Sequence, residues 1–300
     1  MRALAAIGGV CLLVAVLVVA TLTLHGPGKR EPGAQAATPL APRTAAPSSA
    51  ASGGTGGSQA DPFGKTGAYL RGRAGTVTAA VYDVRTGQTW TLGGARPQAE
   101  ASVVKLDILE TLLARNAGRV PAADQGLARS MIEDSDNDAA TSLWDAAGGA
   151  TGVGAYNSAA GLAHTRPSSC VQCPGFAWPG WGLTTTTPAD QLDLLRQVVA
   201  PGTLLPSAAR SYALSLLEHV TPDQRWGVSA GVPSGVTVAL KDGWLPLDTA
   251  DTDWQVNSIG WVSGDGRDYL IAVLTTGNQT EQYGIGTIGG LSARVWSALR

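Results

Sequence analysis

Lysine is rare in this chain, four residues against 17 arginines, and histidine and cysteine occur three times each. So few histidines leave no His-Glu-x-x-His pair, and neither a Gly-x-Ser-x-Gly elbow nor a phosphate loop occurs. The commonest zinc-hydrolase, α/β-hydrolase and nucleotide-binding readings therefore fall away. Charge is thin as well: 15% of residues are charged, the net charge is -2 and the isoelectric point lies near 5.9. No basic stretch is interleaved with stacking aromatics, so nucleic-acid binding is set aside. Internal repeats are absent, and between Asp145 and Asp190 there is no acidic residue.

What is present divides the 300 residues into three stretches. Residues 1–25 hold one arginine and an uncharged apolar run from Ala3 to Leu24, and read as a signal peptide or membrane anchor. The length of the run favours a retained anchor, although Ala34-Gln35-Ala36 would serve as a late cleavage site; Cys11, behind the bulky Val10, is a weak lipid-attachment site. Arg2 and the terminal amine keep the N-terminus inside, which places the rest of the chain outside the cytoplasm. Residues 26–64 are rich in Pro, Ala, Gly, Ser and Thr, a composition that cannot sustain a core and reads as a disordered tether spanning about 30 Å. Residues 65–300 have the size of one domain, expected to be a monomer.

Within that domain TVTAAVYDVRTGQTWTLGG predicts a hairpin turning at Arg85-Thr86-Gly87. From Ser102 the spacing becomes helical, with Leu106, Leu109, Leu112 and Leu113 on one face and Gly118 and Pro121 as stops. Helical segments follow to about Gly161, then an aperiodic stretch from His164 to Thr187 reads as a long functional loop. Helices at 188–199 and 207–219, strands at 236–241, 255–262 and 269–274, and a last helix through Leu299 complete the order. Outer strands, a helical insert, further strands and a closing helix predict an α+β fold, an antiparallel sheet of about five strands flanked by helices.

Ser102 and Lys105 stand three apart, so a helix places both on one face. A serine hydroxyl becomes a nucleophile when a neighbouring base takes its proton, and a lysine with a depressed pKa can be that base. A helix cap followed by a surface charge fits the same two residues. The lysine count weighs on the choice: beyond the tether and its edge the chain keeps only Lys105 and Lys241, and arginine, used everywhere else, cannot give up its proton. Ser135-Asp136-Asn137 could cap a helix, with Asp138 one turn on, or relay a proton through Ser135 while Asn137 holds a substrate amide. Lys241-Asp242-Gly243 ends a strand pattern, where a lysine facing a cleft tunes its neighbours and a glycine allows close backbone approach.

In that order, Ser102-x-x-Lys105, Ser135-Asp136-Asn137 and Lys241-Asp242-Gly243 resemble the three motifs of class A β-lactamases and penicillin-binding proteins. Thr165-Arg166 and Thr184 to Pro188 look like the ends of the class A omega loop. The resemblance covers the folded part and implies a three-layer α/β/α fold with a helical subdomain. It also implies acylation of Ser102 assisted by Lys105, with Ser135 and Lys241 as further catalytic residues and Asn137, Asp242, Gly243 and Trp244 contacting substrate. The oxyanion would be held by the backbone N–H groups of Ser102 and Trp244. Neither metal nor cofactor is expected; the partner is a small β-lactam-like or cell-wall peptide substrate, with the membrane reached through the N-terminal segment.

Three departures accompany the resemblance. By spacing, the glutamate that activates the deacylating water falls on Val171. Asp242 replaces a hydroxyl residue, and its charge would repel a substrate carboxylate. The interval from Ser102 to Ser135 is shorter than the family's by about 25 residues. Weak β-lactam turnover is therefore expected, with a non-hydrolysing penicillin- or peptidoglycan-binding sensor as the alternative. Cys170 and Cys173 flank Val171; outside the cytoplasm a disulfide leads, with a thiol redox role or a metal site with His164 as the other readings.

Overall fold

A computed structural model describes residues 60–299 apart from Thr249 and Asp251, so the expected anchor and most of the expected tether lie outside the described residues. Packing begins at Phe63, whose ring joins the core just ahead of α1 (Gly67–Arg71). The predicted hairpin follows as β1 (Thr76–Asp83) and β2 (Thr89–Leu92). Its turn is held by Asp83, whose Oδ1 accepts from the backbone N–H groups of Arg85 at 2.8 Å and Thr86 at 3.0 Å. After the short β3 (Gln98–Ala99), a 3-10 turn (Ala101–Val103) runs into α2 (Val104–Arg115), and Gly118, with φ at 84°, turns the chain away.

The helical part comprises α3 (Gln125–Glu133), α4 (Asn137–Ala146) and α5 (Gly149–Ala160). Asp136, not Ser135, caps α4, its Oδ1 accepting from Ala139 N at 2.7 Å. The capping reading of Ser135 thus fails, and its hydroxyl is left for other work. The stretch from His164 to Thr187 is the expected loop, except that β4 (Thr185–Thr186) pairs with β3. Two dipeptide strands carry too little pattern to be read from sequence. The loop is closed at its base by an Arg166–Thr185 bridge and by the Thr165 and Thr186 hydroxyls, 2.8 Å apart.

Thr187 then caps α6 (Pro188–Val199), followed by α7 (Ser207–Glu218), the long strands β5 (Thr237–Pro246), β6 (Trp254–Gly264) and β7 (Arg267–Asn278), and α8 (Glu281–Ala298). Strands β1, β2, β5, β6 and β7 form one antiparallel sheet in the order β2-β1-β7-β6-β5. On the central β7, Tyr269 to Leu274 are all buried, so both faces of the sheet are covered. Helix α8 packs on the face carrying Val256; the opposite face, carrying Asn257, meets the segment ahead of α2, where Asn257 Nδ2 donates to the carbonyls of Ala99 and Glu100 at 2.8 Å each. Strand β5 is an edge, and the pleat sends Lys241 and Gly243 to the Asn257 face and Asp242 to the other.

Candidate active site

Four of the side chains singled out in the sequence meet between α2, the turn before α4, and β5. Lys105 Nζ donates to the backbone carbonyl of Ser135 at 2.5 Å and to Asn137 Oδ1 at 2.8 Å, and lies 3.0 Å from Ser135 Oγ. Lys241 Nζ reaches the same hydroxyl at 2.9 Å and also donates to the Asp242 carbonyl at 3.0 Å. Two lysines from opposite ends of the domain therefore bracket one serine. Both are fully buried. Burial and the neighbouring Lys241 hold the Lys105 ammonium well below the ordinary lysine range, against the pull of Asp136. Burial lowers Lys241 to about 8, with Asp242 acting the other way.

Ser102 lies in the 3-10 turn, half-buried, and borders the same cleft as Asn137. Among the described residues no hydrogen bond joins its hydroxyl to Lys105; the lysine's contacts run to Ser135 and Asn137 instead. As part of the first turn, the Ser102 N–H belongs to the backbone donors that a helix leaves unpaired. Strand β5 passes directly over it. A methyl group at Gly243 would stand 2.6 Å from Ser102 N and 2.8 Å from Val103 N, so only glycine allows this approach. The backbone bends to make the site: Ala101 and Ser135 both hold positive φ, at 52° and 57°, a region that costs a non-glycine residue about 1–3 kcal/mol.

The cleft around Ser102 is walled by Trp178, Pro179, Trp181, Trp244 and Leu245. Trp181 lies with its ring centroid 5.2 Å from Lys105 Nζ and donates from Nε1 to Thr141 Oγ1 at 3.1 Å. Thus the omega-like loop reaches Ser102 through residues 178–182. Val171 is not among the lining residues; it packs toward the core between Cys170 and Cys173, which form a disulfide. The loop's tryptophans carry no periodic signal in the sequence, and nothing in the spacing places them at the cleft.

Asp242 departs from the expectation that its charge meets substrate. It is fully buried on the far face of β5, where Oδ2 accepts from Trp226 N at 3.1 Å. Burial pushes its carboxyl up to about 8, against the Ser258 hydroxyl, the Trp226 N–H, Lys241 and Arg225. Alternation along a strand explains the outcome: with Lys241 facing Ser135 and Gly243 facing Ser102, the residue between them faces away. The carboxyl fixes Trp226, whose ring packs against Trp244 with centroids 5.9 Å apart.

A model of the beta-lactamase enzyme family matches residues 116–299, which hold Ser135, Asn137 and Lys241 and begin after Ser102 and Lys105. Over 207 residues the chain is 28% identical to a protein whose name calls it a lipoprotein, LppW, in Mycobacterium tuberculosis and in Mycobacterium bovis. That match covers 66% of this chain and 62% of the relative, so the chain spans less than two thirds of the relative's length. A class A beta-lactamase from Mycobacterium abscessus superposes with a TM-score of 0.64 at 23% identity, over 77% of this chain and 96% of that one. An ancestral (GNCA) class A beta-lactamase gives 0.65 at 24% identity over 77% and 97%. At these identities the likeness is one of fold.

Proposed function

Because this chain belongs to the beta-lactamase enzyme family, we propose that it is an extracytoplasmic serine hydrolase or acyltransferase that forms an acyl-enzyme on Ser102. The observation that carries the reading is the convergence of Lys105 and Lys241 on the Ser135 hydroxyl beside the cleft that Ser102 borders. In the proposed reaction Ser102 Oγ bonds to the carbonyl carbon of an amide or ester, and its proton passes to Lys105, whose pKa burial and Lys241 hold below the ordinary lysine range. As the bond to the leaving group breaks, Ser135 gives a proton to the departing heteroatom and is resupplied from Lys105. Lys241 steadies Ser135, Asn137 orients the substrate, and the N–H groups of Ser102 and Trp244 hold the oxyanion, a donor pair of the kind that commonly supplies the largest share of catalysis. The lipoprotein name of the mycobacterial relative and the apolar Ala3–Leu24 run support a membrane-anchored place outside the cytoplasm.

A fluorophosphonate probe tests the nucleophile. Purified protein should label, Ser102→Ala should not, and Lys105→Arg should label far more slowly, because arginine keeps the charge and removes the base. Full labelling of both variants would place the nucleophile elsewhere.

One feature favours a second reading, that of a slow or non-turning penicillin- or peptide-binding protein: the cleft lining holds no carboxylate and no histidine. Water beside an ester on Ser102 would then lack a general base typically worth about 100- to 10,000-fold in rate. A β-lactam that acylates Ser102 should leave an adduct visible by intact-mass spectrometry after excess reagent is removed. Rapid multiple turnover would exclude the sensor reading.

A further inference from the structure

We infer that the cleft selects neutral substrates with an apolar acyl chain, and that carboxylate-bearing substrates are poor ones; this rests on Ser102 as the nucleophile. The first observation is the wall itself. Apart from Ser102 and Asn137, the side chains around the nucleophile are Trp178, Pro179, Trp181, Trp244, Leu245 and a small residue on the backbone turn. The second is an adjoining hollow of about 400 Å³ that shares Trp178 with the cleft and is lined by Phe176, Pro246 and Leu247. Its size falls in the range of small-molecule pockets. Leu247 is 40% exposed, one of two large apolar side chains so exposed among the described residues. Leu247 thus adds to the apolar lining that Trp178, Phe176 and Pro246 give the hollow beside Ser102.

The third observation concerns charge. Lys105 and Lys241 are buried and committed to Ser135, Asn137 and a backbone carbonyl. Arg225 donates to the carbonyls of Glu218 at 3.1 Å and Val238 at 2.9 Å. None of these cations faces the hollow, whereas Asp248 borders it, its carboxylate oxygens accepting from Thr252 and Asp253. A substrate carboxylate would meet an aspartate there and would lose its water without gaining a partner. A neutral alkyl or aryl chain would bury apolar surface instead.

With an aryl ester the leaving group departs without being protonated. Ser102 Oγ bonds to the acyl carbon, the carbon–oxygen bond to the phenol breaks, the serine proton passes to Lys105, and the phenolate departs. Water later releases the carboxylic acid.

The test uses the full-length protein with p-nitrophenyl acetate, butyrate and octanoate, and with the mono-p-nitrophenyl ester of suberic acid, which matches octanoate in length but ends in a carboxylate. We expect kcat/KM to rise about threefold per methylene, on the order of 50- to 100-fold from butyrate to octanoate. The suberate ester should fall at least about tenfold below octanoate, or roughly 1.4 kcal/mol. Trp178→Ala should flatten the chain-length dependence, and Leu247→Asp, at an exposed position that leaves the core intact, should do so as well. A flat chain-length series, or a suberate ester as good as octanoate, overturns the inference. If the p-nitrophenol burst with acetate still depends on Ser102 in that case, the acyl-enzyme reading survives alone. A burst that persists in Ser102→Ala overturns both.

Discussion

Glu100, Asp107 and Glu110 are carboxyls without solvent, and each keeps at least one oxygen without a hydrogen-bond partner. Asp107 Oδ2 accepts from Asn157 Nδ2 at 2.9 Å, Glu110 Oε2 accepts from Tyr156 at 2.7 Å, and Glu100 faces Asp107 and Asp190. Burial raises all three, Asp107 to about 7 and the two glutamates well above their ordinary range. The folded state therefore holds protons that the unfolded chain releases near pH 4. Their stabilising contribution is complete below about pH 4 and is lost as pH rises through the folded values, at about 1.4 kcal/mol per pH unit for each group still protonated in the fold. The melting temperature should fall between pH 5 and 7, and Glu100→Gln should make that fall shallower; a rising melting curve over the same range would refute the assignment. The lysines act with the opposite sign and, for Lys241, above about 8. Asp242 yields a prediction of a different kind. Asp242→Ala should cost about 1–3 kcal/mol by stranding the Trp226 N–H, and benzylpenicillin acylation should not accelerate. A tenfold acceleration would mean that the carboxyl does reach substrate.

Among the elements, the loop between α5 and α6 has the most to lose from one bond. Gly180 N donates to Val171 O at 2.7 Å, and a methyl on Gly180 would come within 2.6 Å of Cys173 Sγ. The disulfide thus rests against the segment that delivers Trp178 and Trp181 to the cleft. Its ring is small, so removing it should cost only about 2 kcal/mol. Replacing both cysteines with serine should lower the melting temperature by a few degrees while slowing fluorophosphonate labelling severalfold. Unchanged labelling would show that the loop holds its shape without the bridge. Sequence periodicity placed the hairpin, α2, α6 and α7 to within a residue or two, because each has a capped start or an amphipathic face, and it placed the end of the closing helix but not its start at Glu281. It underestimated β5, observed to Pro246, because that strand is buried on both sides beyond Lys241 and its alternation disappears. It also missed β3 and β4, whose pairing is tertiary.

On the scale of the whole molecule, the motif residues could be read from sequence because three motifs in a fixed order are more specific than any one of them and because lysine is rare in this chain. Lys105 and Lys241 stood out in an arginine-rich chain, and the fold brings both to Ser135. Directions of side chains were another matter. Asp242 turned away because the pleat assigns faces by parity, and Trp181, rather than the residue expected from loop spacing, took the place against Lys105. These depend on neighbours distant in the chain. The same distance has a practical consequence. Ser135 is tied to partners 30 residues before it and 106 residues after it, so its geometry exists only while the helical part and the sheet edge are both docked. On the proposed chemistry, labelling at Ser102 would count intact molecules. In a urea titration, the fraction captured by a brief fluorophosphonate pulse should decline along the same curve as tryptophan fluorescence. A pulse that fails at lower urea would reveal a population in which the sheet edge has parted from the helices while the rest of the chain remains folded.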